Sequence, residues 1–402
     1  MKTEMPPTAG LPLLWGDFFG AGGDFAAAAR EFLGAPRGGL ASSGTACLIV
    51  ILTTLHRLSG RRTVIAPAWT CPLVALAVAR CGLSLRLCDL AEDGLDFDPE
   101  ALARLCDADT LALLPTHLAG RAADVDSART IAQKHGAFVV EDAAQAFGAK
   151  RNGQSVGLAG DAGFFSFAVG KGLSLYEGGV WVTRDAALAA EFSRTAGDFL
   201  AQDGGMEFRR GLELMAYMLF YRPALLPWVY GQPLRRALKR GDFLSAAGDI
   251  FSPAIPLHRV SRWRQGIGCR ALARLRDFQR QTEERAKRRL AALDALSGVR
   301  VFRDREGEKG VWPFFLLRLP DEKTRDDALK ILWGAGLGVT RLFIHALPDY
   351  AYLRPLTPEI AQAGCDRARS LAARSLTVTN SLWLSDAGFS RITAVLEESL
   401  AG

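Results

Sequence analysis

The stretch VVEDAAQAFGAKRNGQSVGLAGDAGFFSFAVGKGLSLYEGGVWVT, residues 139–183, concentrates the residue types that could do chemistry. Asp142 directly follows Glu141 at the end of an apolar run and so falls at the carboxyl end of a buried strand, where open α/β sheets bind their ligands. Lys171 lies further on, in a glycine-flanked turn after another strand. A carboxylate and an amine delivered to one sheet edge suit pyridoxal phosphate. The amine condenses with the aldehyde, and the carboxylate keeps the pyridine nitrogen protonated so that the ring can accept electrons. A strand-end cap and a solvated turn lysine fit the same spacing, and spacing alone does not separate the two readings.

In ASSGTACL, residues 41–48, small polar residues open a helix. Exposed backbone amides there would hold a phosphate, with the Ser43 and Thr45 hydroxyls as extra donors; a plain N-cap explains the same residues. Gly170-Lys171 is not a Walker loop, because Gly163 stands too far upstream and Gly172 follows where Ser or Thr is required. GAGG at 20–23 lacks the dinucleotide spacing. Five scattered His without paired spacing argue against a metal site.

These residues need a scaffold, and from about residue 40 to 183 short apolar runs alternate with helical stretches, the rhythm of a mainly parallel sheet with crossover helices. Strands are expected at 63–66, 83–90, 111–116, 137–141, 163–167 and 179–183, nearly continuous in apolar residues as strands covered on both faces are. Helices fit at 44–58, 73–80, 99–105 and 125–135, the third with Asp98 as N-cap and Pro99 at the first helical position. Residues 200–262 mix Gly, Pro, aromatic and basic residues without an assignable period. One long helix is expected over 266–296, its charged later half read as a solvated face. VRVF, WPFFLLRL and GLGVTRLF then read as strands of a smaller C-terminal α+β domain. The division expected is 1–290 and 291–402.

With 49 Lys and Arg against 43 Asp and Glu, the net charge is +6 over 402 residues, too thin an excess to imply a nucleic-acid partner. A hydrophobic fraction of 49% excludes a disordered or fibrous chain. Seven Cys without a CxxC pair, mostly in apolar runs, read as reduced core thiols, and the opening residues lack the pattern of a secretory signal, so a cytoplasmic protein is expected.

In order, SSGTA, APAWT, LPTHLAGRAADVD, VVEDAAQAFGA, GDAGFFSFAVGKGL and EGG resemble the DegT/DnrJ/EryC1/StrS aminotransferases, densely over residues 25–185 and loosely over 266–402. The resemblance implies the fold-type I transferase architecture, a mainly parallel seven-stranded sheet flanked by helices. It implies pyridoxal 5'-phosphate as cofactor and Lys171 as the lysine that binds it and shuttles the proton. Asp142 becomes the partner of the ring nitrogen and Gln145 the neighbour of the phenolic oxygen. Ser166 and the Gly44, Thr45, Ala46 turn become the phosphate site, and His117 an orienting group near the substrate. Family dehydratases carry His where Lys171 stands, which argues against that activity. The substrates implied are an amino-acid donor, glutamate, and a nucleotide-linked keto sugar; a non-sugar keto compound, or a catalytically idle relative, is the alternative. A homodimer is implied.

Three departures stand out. Cys71 occupies the place of the family's stacking aromatic, so either Trp69 takes over the stacking or another group holds the ring. Leu257, His258 and Arg259 stand where an asparagine normally reaches a neighbouring subunit's phosphate. The segment between residues 183 and 266 is longer and more apolar than usual. Within it, residues 212–230 are mostly apolar and precede Arg235, Arg236, Lys239 and Arg240, a juxtaposition that suits an anionic membrane surface. Glu213, Arg222, Pro223 and Pro227 interrupt the run, which favours a packed interface or a roof over the site.

Overall fold

The computed structural model describes residues 3–361 and 363–402. In chain order its first strands are β1 (Arg37–Ala41), β2 (Thr63–Pro67), β3 (Ser84–Cys88), β4 (Thr110–Leu113), β5 (Phe138–Asp142), β6 (Lys150–Arg151), β7 (Gln154–Ser155), β8 (Ala162–Ser166) and β9 (Gly179–Thr183). Seven of them form the central sheet, in the order β1-β9-β8-β5-β4-β2-β3. Pairings from β3 through to β8 are parallel, while β9 runs antiparallel to both β8 and β1. Every residue of β2, β4, β8 and β9 is buried, which is why these strands read as unbroken apolar runs. β4 stops short of the expected residue 116, because Pro115 has no amide to donate to a ladder.

The helices α1 (Phe25–Leu33), α2 (Gly44–Ser59), α3 (Pro72–Arg80), α4 (Pro99–Leu105) and α5 (Val125–His135) cover this sheet. Side chains alternate between its faces: Phe164 and Trp181 join one apolar cluster with α2, and Phe165, Val180 and Val182 join the other with α1. The Asp98 carboxylate accepts the Ala101 amide at 2.9 Å, a cap of the kind that contributes about 1 kcal/mol.

Strand direction decides where the chemistry collects. β1 runs the same way as β8, because both are antiparallel to β9, so its end at Ala41 lies at the edge where β2, β4, β5 and β8 also end. The chain turns there into α2, and the loop from Ser166 to Gly179 carries Lys171 along the same edge.

Within the first expected domain α6 (Ala186–Phe199) follows the central sheet, and over 200–262, where no period was visible, the structure resolves α7 (Gly204–Phe220), a π-helical turn Pro227–Gly231, α8 (Gln232–Lys239) and α9 (Phe243–Ala247). The long helix expected over 266–296 is instead two, α10 (Arg262–Leu272) and α11 (Leu275–Asp294). They serve different cores: Ile267 and Ala271 pack under the central sheet, Ala286 and Leu293 against the second one. The basic run is not wholly a solvated face either, since Arg289 is buried and donates to Asn380 Oδ1 at 3.1 Å. Beyond it lie β10 (Arg300–Val301), β11 (Glu308–Lys309), which extends the β6-β7 ribbon, β12 (Phe314–Arg318), α12 (Glu322–Leu332), β13 (Val339–Thr340), α13 (Asp366–Arg374), β14 (Ser375–Thr379) and α14 (Asp386–Ala401). The second sheet has the order β10-β12-β14-β13. Among the described residues no helix is long and apolar enough to cross a membrane.

A buried ionic cluster ties α7 to α10. Arg264, fully buried, donates Nε to Glu207 Oε2 at 3.0 Å and Nη1 to the Leu175 carbonyl at 3.0 Å. Opening such a pair by removing one partner costs about 3–5 kcal/mol, against roughly 0–1 for an exposed pair, so this cluster anchors the segment. His258 Nδ1 lies 3.1 Å from Glu207 Oε1, whereas Nε2 is 3.9 Å from Glu177, too far for a hydrogen bond. Burial opposes the imidazolium, but the carboxylates outweigh it and raise the pKa from 6.5 to about 9. A raised folded-state pKa contributes stability that is complete below 6.5 and is lost as pH rises through about 9. His258→Gln is therefore expected to lower the melting temperature most near pH 6 and to converge on the parent protein above about pH 10. Thermal unfolding across that range checks it.

Candidate active site

A cavity of about 510 Å³ opens at the carboxyl edge of the central sheet. Gly44, Thr45, His117, Asp142, Gln145, Ser166 and Lys171 all line it; Ala46 and Trp69 do not. Ala46 donates its amide to the capping Ser43 Oγ at 3.0 Å, which leaves Gly44 and Thr45 as the open donors of the first turn. Trp69 lies in the core, 1% exposed and edge-on to Phe343 at 5.6 Å, so it is not placed to stack on a ring in the cavity.

Burial lowers the Lys171 ammonium's pKa against the pull of Cys71 and Asp142, moving the amine toward its neutral, nucleophilic form. Burial likewise raises Asp142, while the Ala144 amide, at 3.0 Å from Oδ1, and Lys171 work the other way. The second carboxylate oxygen of Asp142 is left for a ligand. Gln145 accepts the Ala119 amide on Oε1 at 2.9 Å, which leaves its amide NH2 as a donor. Burial pushes the Cys71 thiol up to about 12, so it forms a neutral wall.

His117 is held rather than free. Its Nδ1 accepts the Ala123 amide at 2.8 Å, so Nε2 carries the proton and donates it to Glu141 Oε2 at 2.8 Å. Glu141 is fully buried, yet His117 and the amides of Gly160 and Gly157 hold its pKa below the ordinary value despite the burial. With both ring nitrogens engaged, His117 orients its surroundings and is not placed to exchange protons with a substrate.

The structure adds residues that the sequence reading missed. The Asp249 carboxylate, from the long insert, accepts the Ile344 amide at 2.6 Å and the Tyr350 hydroxyl at 2.7 Å at the cavity wall, and no periodicity marked it. The N-terminal segment straps the lysine loop: Thr8 Oγ1 donates to the Gly170 carbonyl at 2.7 Å and the Leu11 amide to the Gly172 carbonyl at 2.8 Å. The residues in place of the missing asparagine are engaged in their own chain, His258 with Glu207 and Arg259 with the Leu200 carbonyl at 3.0 Å.

The sequence profile of the DegT/DnrJ/EryC1/StrS aminotransferase family matches residues 21–206. Over that stretch the chain is similar to the family. Protein MosB of Rhizobium meliloti is 40% identical over 149 residues, which are 37% of this chain and only 29% of MosB. GDP-perosamine synthase of Caulobacter vibrioides is 28% identical over 382 residues, 94% of this chain and 89% of that protein. The PLP-form of the putative sugar aminotransferase Spr1654 from Streptococcus pneumoniae shares the fold, with a TM-score of 0.76 over 99% of both chains at 18% identity.

The Spr1654 structure is a PLP-form, and pyridoxal phosphate is the cofactor that the family resemblance implies here. The residues present fit it. A Cβ on Gly44 would come within 2.9 Å of Ser166 Cβ, and one on Gly179 would overlap Ser43 and the Gly44 amide, so both glycines keep a cradle open between the α2 terminus and β8. Thr70 Oγ1, buried on the cavity wall, has no protein partner and is available to a ligand. The Gly44 and Thr45 amides and the Ser166 hydroxyl would hold the phosphate, Asp142 the ring nitrogen, Gln145 the phenolic oxygen and Lys171 the aldehyde. When bound, the cofactor supplies that aldehyde and a ring that accepts electrons.

Proposed function

We propose that this protein moves an amino group from glutamate to a keto sugar carried on a nucleotide. The observation that carries the reading is a single cavity holding a desolvated amine, a buried carboxylate and the open end of α2. Support for a sugar acceptor comes from the near full-length likeness to a protein named GDP-perosamine synthase. Lys171 Nζ, whose ammonium form burial disfavours, would take the proton from the donor's α carbon and return it to the cofactor, and the reverse for the acceptor. Incubating the loaded protein with glutamate and then with nucleotide-linked keto sugars tests this. Conversion of one such sugar to its amine is expected; conversion only of keto compounds lacking a nucleotide would replace the reading.

We further propose a cytoplasmic homodimer, with the smaller domain beginning near residue 291. Phe208 and Trp228 expose 71% and 56% of their surface, more apolar area than an isolated helix face usually leaves to water. Leu226, by contrast, is fully buried in its own chain and reports on folding rather than association. Replacing Phe208 and Trp228 together by Ser is expected to weaken dimerisation about 30-fold or more, as loss of a hot spot does. Sedimentation velocity measures it. An unaffected dimer together with salt-sensitive binding to anionic vesicles would assign the face to a membrane instead.

A further inference from the structure

Beside the catalytic cavity lies a larger one, about 1340 Å³, between α8, α9 and α12. Arg341 stands on both, so the two share a wall. Ligand cavities commonly run about 300–1,000 Å³, so 510 Å³ suits a cofactor with a sugar ring and leaves a nucleotide to be housed elsewhere.

The neighbouring cavity has the chemistry for it. Trp333 Nε1, Arg325 Nε and Arg341 Nε are buried donors without hydrogen-bond partners, and Trp333 and Arg325 are only 5% and 2% exposed. Arg325 Nη2 donates to Glu322 Oε1 at 2.8 Å, while Asp326 Oδ1, 3.0 Å from Nε, supplies charge there without a hydrogen bond. Three unmet donors around one cavity are costly unless a ligand or water takes them. Arg341 is held in place by Nη2, which donates to the carbonyls of Ile344 at 2.8 Å and Ala372 at 2.7 Å. Phe243 and Trp333 stack at 5.9 Å with an interplanar angle of 14°, a flat apolar flank of the kind on which a base packs. Among the described residues the lining carries six Lys and Arg against three carboxylates.

A smaller cavity of about 260 Å³ also adjoins the site through Thr116 and Leu118, but Asp93, Asp96 and Asp304 already face its arginines. The larger cavity is the better anion site.

We propose that the cavity between α8, α9 and α12 seats the nucleoside diphosphate of the substrate, with Arg341 and Arg325 on the diphosphate and the Phe243–Trp333 pair beside the base. This rests on the nucleotide-sugar reading above. The long insert then acquires a purpose: it supplies one wall of a nucleotide compartment.

Isothermal titration of the cofactor-loaded full chain with UDP, GDP and dTDP tests the proposal. At least one should bind, and Arg325→Met should weaken it about 10-fold or more, as loss of a charge-assisted donor does. Trp333→Phe, which keeps the ring stack but removes the N–H, should weaken it about 3-fold or more. Lys330→Glu, an exposed change on the rim that spares the fold, should also weaken it, with a steeper effect at low salt. Nucleotide binding that is equal in the parent and all three variants would overturn the site and leave the reaction standing. Absence of binding by any of the three nucleotides to the parent protein would overturn both.

Discussion

Lys171→Ala is expected to abolish turnover, by roughly four powers of ten or more, because in the proposed reaction the lysine is both the cofactor's point of attachment and the base that moves the proton. Within the cavity it has no substitute: Arg341 stays cationic even though burial and Arg325 lower its pKa to about 10, and both nitrogens of His117 are engaged. The lysine sits on a loop clamped by the N-terminal strap, so truncating it to Ala leaves the hydrogen bonds from Thr8 and Leu11 to the loop carbonyls intact. The variant should therefore fold and retain the cofactor without a covalent link. Borohydride reduction of the parent protein followed by peptide mapping should place the cofactor on Lys171, and labelling of another lysine would displace it from the role.

Asp142→Asn is expected to lower kcat by about three powers of ten while the fold persists. The amide preserves the shape of the side chain and can still accept the Ala144 amide, so the change removes only the charge. Among the described residues at the cavity that charge is the one available to a ring nitrogen: the Asp249 carboxylate is already occupied by Ile344 and Tyr350, and Glu141 by His117 and three amides. A neutral amide cannot keep the nitrogen protonated, and the ring would lose much of its capacity to take up electrons. Steady-state kinetics beside the melting temperature separates this from simple unfolding; near-normal activity in the Asp142→Asn variant would remove Asp142 from the mechanism.

Much of the scaffold was legible along the chain. Strands buried on both faces leave continuous apolar runs, and helices between them announce themselves by Asp98 and by Ser43 at their caps, so α2, α4, α5 and β9 fall where the residues predict. The break between α10 and α11 left no such mark. Neither Gly nor Pro stands at Ala273–Arg274; the chain bends because each helix packs on a different core. The insert was illegible for a related reason. Helix α7 and the π-helical turn after it bury one apolar face against the protein while leaving Phe208, Leu212 and Trp228 exposed, which blurs the amphipathic period there.

The sequence by itself carried the family resemblance, the cofactor it implies and the candidate pair Asp142 and Lys171, because strand-end and loop chemistry is written locally and in order. What only the tertiary structure decided depends on contacts between residues far apart in the chain. Trp69 belongs to the core and not to the cavity, since the turn after β2 aims it at Phe343. His117 is an orienting group because Glu141, a strand away, takes its proton-bearing nitrogen. Asp249, Thr8 and Arg341 reach the site from the insert, the N-terminus and the second sheet, and burial between those parts raises the pKa of Asp249, lowers that of Arg341 and leaves Arg341 Nε unmet.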